Sequence, residues 1–241
     1  MRYLAYVSYD GSNYRGFART PQAISIEETI EDALEKLTSL KIKITAAGRT
    51  DAKVHAVAQA LHFDVGFVVK TTSFLSGINK ILPLDIRFNS LQLVSDNFHA
   101  RFNVKSKEYH YTISLTPPSV FHSRYVSYYP LVNPELLIQA SQDFLGTHDF
   151  YAFTPTPPAG KPTIKTIYRL EVKRENNYLI LIFEGNGFLK YSIRNMVGTL
   201  IDIANGKKEP SIIKTLLASK TRQHASKTAA PQGLCLFRVN Y

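Results

Sequence analysis

Apolar and polar positions alternate with period two along "RYLAYVSY", residues 2–9, and then meet an Asp10-Gly11 turn, the pattern of a strand that ends at the surface. The period then changes. Ile26, Ile30, Ala33, Leu34, Leu37 and Leu40 recur at helical spacing, which predicts a helix with one face on a sheet. Ser25 and Glu28, three residues apart, mark its start as a capping box. Val57, Leu61 and Phe63 alternate with Ala56, Ala58 and Ala60, which predicts a strand whose second face is small enough for a helix to approach. "TTSFLSGINKILP" is a short helix stopped by Pro83. "IRFNSLQLV" and "SKEYHYTISL" predict strands on either side of a basic joint, "FHARFNVKSK".

The second half continues the rhythm. Asn133 and Pro134 start a helix carrying Leu136, Leu137, Ala140, Phe144 and Leu145, and Gly146 ends it. A mobile loop is expected over "FTPTPPAGKPT". Two strands follow in "IYRLEVKRENNYLILIFEG", joined through a Glu-Asn-Asn turn, then helices in "YSIRNMVGTLIDIANG" and "SIIKTLLAS", then a closing strand. Interleaved helices and hairpin-like turns predict an α+β fold with a largely antiparallel sheet. The basic joint divides it into an N-terminal lobe, 1–99, and a C-terminal lobe, 100–241. The halves share a loose strand and helix order, a hint of structural duplication, without any short-period repeat.

Charge changes the picture more than composition does. The chain has 241 residues, 44% of them hydrophobic and 20% charged, enough for one large core or two smaller ones. Its formal charge of +10 points to a polyanionic partner, with nucleic acid foremost. The basic residues are dispersed, so the fold has to assemble any binding surface. The most apolar run, Tyr178 to Phe183, is far too short to cross a membrane, and the N-terminus lacks a signal peptide's layout, so a cytosolic protein is expected. The single cysteine, Cys235, lies in an apolar strand-like segment and reads as structural. The scattered histidines give no metal-ligand spacing, and "GSNYRG" has neither the Walker lysine nor the dinucleotide spacing.

The candidate chemistry lies in "AAGRTDAKVHA", residues 46–56. An aspartate beside a glycine is usually a turn residue bonded to its own backbone. Here the neighbours Ala46, Ala47, Thr50, Ala52 and Val54 are small or β-branched, so the segment is expected to enter a strand and bury Asp51 in part. An extended backbone would place Arg49 and Asp51 on one side, a guanidinium near a carboxylate that must stay ionised. No second acid accompanies Asp51 in the sequence. Glycoside hydrolysis recruits two carboxylates, whereas one suffices where the leaving base departs as a delocalised anion and no water is needed.

"GRTDAKVHA" resembles the GRTD signature of the TruA-type tRNA pseudouridine synthases. "YDGSNYRGF", "FHARF", "KEYHY", "GFLKYSIRNMVGTL" and "AAPQGLCL" resemble the other blocks of that family, in the same order, from about residue 3 to the C-terminus. The resemblance implies conversion of uridine to pseudouridine at positions 38–40 of the tRNA anticodon arm. It also implies two ferredoxin-like lobes joined into one central sheet, a homodimer, and no metal or organic cofactor. It makes Asp51 the catalytic carboxylate, Tyr109 the aromatic residue against the target uracil and Arg194 the basic partner in the site. Arg49 is expected at the entrance or on the flipped nucleotide's phosphate, and Arg101 and Lys190 on the RNA backbone. Two positions depart from the family pattern. Lys53 stands where Gly is usual, at a place that can require positive φ, and its charge is expected to add a phosphate contact. Glu27 stands where Gln is expected. The competing readings are a non-catalytic RNA-binding protein and a nucleoside hydrolase.

Overall fold

The computed structural model describes residues 1–155, 162–222 and 224–241. The chain forms two units: Met1–Lys105 with Cys235–Tyr241, and Ser106–Leu234. The division falls inside the basic joint. The last seven residues return to the first unit, a return that a boundary at 99/100 read along the sequence does not contain.

In the first unit the elements run β1 (Arg2–Tyr9), α1 (Ile26–Thr38), β2 (Ile44–Ala46), β3 (His55–Asp64), α2 (Thr71–Ile81) and β4 (Ile86–Val94). β1 pairs antiparallel with both β3 and β4, and β2 pairs antiparallel with β3. The neighbour order β4-β1-β3-β2 with this chain order is the split βαβ arrangement of ferredoxin-like folds. β10 (Leu234–Asn240) lies parallel to β3 through Cys235↔His55 and Leu236↔Ala56. Burial there pushes the Cys235 thiol up to about 12, so it stays protonated and unreactive.

Three local expectations for this unit are corrected. Ser25 Oγ accepts from Glu28 N at 3.2 Å, but the Glu28 carboxylate takes Arg19 Nη1 at 2.8 Å rather than completing the box. Helix α1 stops at Ser39, which turns left-handed (φ 60°), so Leu40 falls outside the helix and is 46% exposed. Ile26, Ile30, Ala33 and Leu34 do form the buried face. Val57 is also exposed, while Gln59 through Phe63 are all buried. A strand covered on both faces loses its period-two signal.

The second unit holds β5 (Ser106–Ser114), β6 (Ser127–Tyr128), α3 (Pro134–Ser141), β7 (Gly146–Asp149), β8 (Ile164–Glu175), β9 (Tyr178–Gly185), α4 (Ser192–Ala204) and α5 (Ile212–Ala218). β5, β9, β8 and β7 are neighbours in that order, each pair antiparallel, and β6 adds a short parallel bridge to β5. Apart from β6 and β7, which have no counterpart in the first unit, the series β5-α3-β8-β9-α4 repeats β1-α1-β2-β3-α2, with β9 beside β5 as β3 is beside β1. This is the duplication that the sequence only hinted at. The β8–β9 hairpin turns on Asn176 at φ 53°, with Glu175 opposite Tyr178. Asn133 caps α3 by accepting from the backbone of Glu135 and Leu136, and Pro134 supplies its first turn. The mobile loop expected over 153–163 lies in part outside the described residues.

Helix α4 is the spine of this unit, with nearly every side chain buried. The segment before β10 crosses it so closely that a Cβ at Gly198 would overlap the Lys227 carbonyl oxygen. Asn195 fixes the crossing from both ends: its Nδ2 donates to Phe153 O at 2.6 Å and its Oδ1 accepts from Thr228 Oγ1 at 2.7 Å. A side chain at 198 must push the backbones apart, at a cost of roughly 1–3 kcal/mol. Gly198→Ala is therefore expected to lower the melting temperature despite alanine's better helix propensity. Calorimetry of the two proteins checks this, and an unchanged or raised Tm would contradict the crossing.

Candidate active site

Residues 47–54 form a loop between β2 and β3, not the start of a strand as the sequence predicts. The loop is held from both sides. On the β3 side Ala47 N donates to Ala60 O at 2.8 Å, and Gln59 Nε2 donates to Gly48 O at 2.8 Å. On the other side lies the stretch after β1, the sequence block "YDGSNYRGF". Phe17 N donates to Thr50 O at 3.0 Å, and Lys53 N donates to Tyr14 O at 3.3 Å. Tyr9 OH and Thr50 Oγ1 share a buried hydrogen bond of 2.7 Å. Burial pushes the Tyr9 phenol far above its ordinary pKa, so it remains a neutral partner. Gly16 permits the approach: it has φ 107°, and a Cβ there would come within 2.9 Å of Thr50 O.

The clamp sorts the loop's side chains. Thr50 and Val54 are buried, Asp51 is half-buried, and Arg49 and Lys53 are exposed. Val54 N donates to Asp51 O at 3.2 Å and closes a turn through Ala52 and Lys53. Lys53 sits in that turn at φ 63°, the left-handed region where glycine is favoured. The turn therefore keeps its left-handed geometry and carries a side chain in it. Arg49, Asp51 and Lys53 occupy one short loop, with the acid between two exposed cations.

In the second unit Tyr109 lies on β5 opposite Phe183, buried, with the Phe188 ring edge-on at 5.4 Å. Arg194 stands in the first turn of α4. Its Nε donates to Ala229 O at 2.8 Å, and its own carbonyl accepts from Ala229 N at 3.0 Å. The block "AAPQGLCL" thus grips the arginine that "GFLKYSIRNMVGTL" supplies. The Tyr191 ring carries two cations, Arg194 and Lys190, each 5.2 Å from its centroid. Tyr191 caps α4 at φ 61°, left-handed like Lys53 without being glycine. Lys190 is exposed. Arg101 lies in the first unit, exposed in the turn after β4. Among the described residues no cluster of three potential metal ligands occurs and no helix is long and apolar enough to cross a membrane.

The sequence missed Tyr9, Thr50, Tyr191 and Ala229. The first two need the clamp to be known before their pairing can be seen. A tyrosine in a left-handed cap has no sequence signature, and an alanine acting through its backbone has none either.

The left-handed turn makes a stability prediction at Lys53. Glycine relieves about 1 kcal/mol of strain and gives most of it back as chain entropy, whereas a β-branched residue adds strain. Thermal melts are expected to rank Lys53→Gly at or above the wild type and Lys53→Val clearly below it. Equal Tm values for the two variants would argue against the φ of 63°.

A family model described as tRNA pseudouridine synthase matches residues 5–103 and 140–241. The chain is similar to tRNA pseudouridine synthase A of Oceanobacillus iheyensis, 40% identical over 98% of this chain and 94% of that protein. It is similar to the protein of the same name from Exiguobacterium, 39% identical over 98% and 96% of the two chains. A third relative, tRNA pseudouridine synthase A of Streptococcus agalactiae, is 39% identical over 100% of this chain and 95% of its own. With the GRTD loop, the clamping block and the α4 blocks all in place, the chain belongs to the tRNA pseudouridine synthase family.

Proposed function

We propose that this protein converts uridine to pseudouridine in the anticodon stem-loop of tRNA, at positions 38–40, with Asp51 as the catalytic carboxylate. The observation that carries the proposal is the GRTD loop of a family member: a half-buried acid on a clamped turn, flanked by exposed cations. The reaction breaks the bond from N1 of uracil to C1′ of the ribose, turns the base, and forms the bond from C5 to C1′. The C5 proton leaves and N1 gains one, so no cofactor or water is consumed. The detached base must be kept from water throughout. Asp51 can serve by attack on the sugar, by addition to the base or as the base of an elimination, since each route needs one ionised carboxylate.

The target uridine lies in a stem or loop and has to be extruded, at a few kcal/mol of lost stacking. Tyr109 is assigned as the aromatic residue against the target uracil, a contact that would return roughly 1–3 kcal/mol of it. Arg194 is assigned as the basic partner that keeps the carboxylate ionised. Its fixed Nε end supports that role, because an anchored guanidinium loses less freedom on pairing. Arg49 and Lys53 are assigned to the phosphates of the extruded nucleotide, and Lys190 to the RNA backbone, in line with the net charge of +10. The protein is assigned to the cytoplasm and to a homodimer. The exposed Val120, Phe121 and Leu131 of the second unit supply apolar area that self-association would bury.

The test is tritium release from a tRNA transcript labelled at uracil C5. Wild type is expected to release tritium without free uracil, and Asp51→Asn to fall by about 10³-fold at matched tRNA binding. Free uracil in place of pseudouridine would identify a hydrolase. Tight tRNA binding without any release by the wild type would identify a non-catalytic binder.

A further inference from the structure

The turn after β4, "FHARF", is mounted more rigidly than a surface turn requires. Arg2 Nη1 donates to Phe98 O at 2.8 Å and to Asp96 O at 2.7 Å, while its Nε and Nη2 grip the Asp64 carboxylate. His62, buried on β3, accepts from Ala100 N through Nδ1 at 3.1 Å. Tyr241 OH donates to Ala100 O at 2.7 Å, and its ring packs on Phe98 at 4.9 Å. Within the turn, His99 Nδ1 accepts from the backbone of Arg101 and Phe102, and Asn103 Oδ1 accepts from His99 N at 2.6 Å. The anchors come from β1, β3 and the C-terminal residue, far apart in the chain.

What this mounting presents is an open aromatic ring. Phe102 is 76% exposed, packs against His99 with ring centroids 4.2 Å apart and a 32° tilt, and has the Arg101 guanidinium 5.9 Å from its centroid. Leaving a phenyl ring in water forgoes about 1.5–3 kcal/mol of burial, and here the open ring stands on a fixed backbone next to an exposed cation. A π-face beside a guanidinium matches a nucleotide, with the base on the ring and the adjoining phosphate on the cation.

We propose that Arg101 and Phe102 form a second RNA-contact point, in which Phe102 stacks an unpaired base of the bound tRNA and Arg101 meets the phosphate beside it. This rests on the proposed function for the choice of tRNA as the polyanion. Neither residue belongs to the GRTD loop. The mounting fixes the backbone that carries the ring, so little backbone entropy is lost when a base settles on it.

The test measures equilibrium binding of an unmodified tRNA transcript to the full-length protein at several salt concentrations. Phe102→Ala is expected to raise Kd roughly tenfold without changing the Tm, and Phe102→Trp to hold the wild-type affinity. Arg101→Ala is expected to lower the slope of log Kd against log salt by about one, and Phe102→Ala to leave the slope alone. Wild-type affinity in Phe102→Ala overturns the proposal. A weaker Kd in that variant accompanied by loss of a dimer in sedimentation also overturns it, because the ring would then face a second copy. If the wild-type protein binds no tRNA, the proposed function itself fails. If it binds and isomerises while both variants bind as it does, only this contact point fails.

Discussion

The buried hydrogen bond between Tyr9 and Thr50 is the constraint on which the GRTD loop depends. It ties the end of β1 to the middle of a loop that has no regular structure of its own. The carboxylate proposed to act, Asp51, has to be aimed without a second acid to fix it, and a free loop would spread it over many orientations. The Tyr9–Thr50 bond, the Phe17–Thr50 backbone bond and the approach permitted by Gly16 remove that freedom one residue away from the acid. Positioning of this kind supplies much of a catalytic advantage, since small misplacements of a reacting group are costly.

Strain accompanies this positioning in both units. Lys53 and Tyr191 are left-handed without being glycine, and each lies within three residues of a proposed site residue. Lys53 closes the turn that Asp51 opens. Tyr191 caps the helix that carries Arg194 and sets its ring under that arginine. Conformations of this sort persist only when their surroundings over-determine them. The surroundings here do so through the backbone bonds of Lys53 and Val54 in one case, and through the grip of Ala229 on Arg194 in the other.

The duplication explains how one chain builds both supports. With β6 and β7 set aside, which have no counterpart in the first unit, each unit runs strand, helix, two strands, helix, with its third strand beside its first. In the first repeat the connection between the second and third strands became the GRTD loop. In the second repeat the same connection is a two-residue turn at Asn176 and Asn177, and the proposed site residues lie on the first strand and the second helix. Equivalent scaffolds thus carry different chemistry because function sits in their loops and helix ends.

The sequence by itself determined the types of the longer elements, the helix starts at Ser25 and Asn133, the antiparallel class, and the family through its ordered motifs; it missed the short strands β2, β6 and β7 and ran α3 on to Gly146, where β7 begins. The features it determined are local: periodicity, capping and turn chemistry act within a few residues. It also singled out Asp51, because a lone acid in a block of small residues is visible without a structure. It misread the surroundings of that acid, expecting a strand where a clamped loop exists, because the holding partners Tyr9, Tyr14 and Phe17 lie some forty residues upstream. Only the tertiary structure decided that Val57 faces outward, that β10 returns to the first unit, that Arg194 is gripped by a backbone alanine, and that Phe102 stands exposed on a rigid turn. Each of these depends on contacts between residues distant in the chain, which leave no period and no spacing to read.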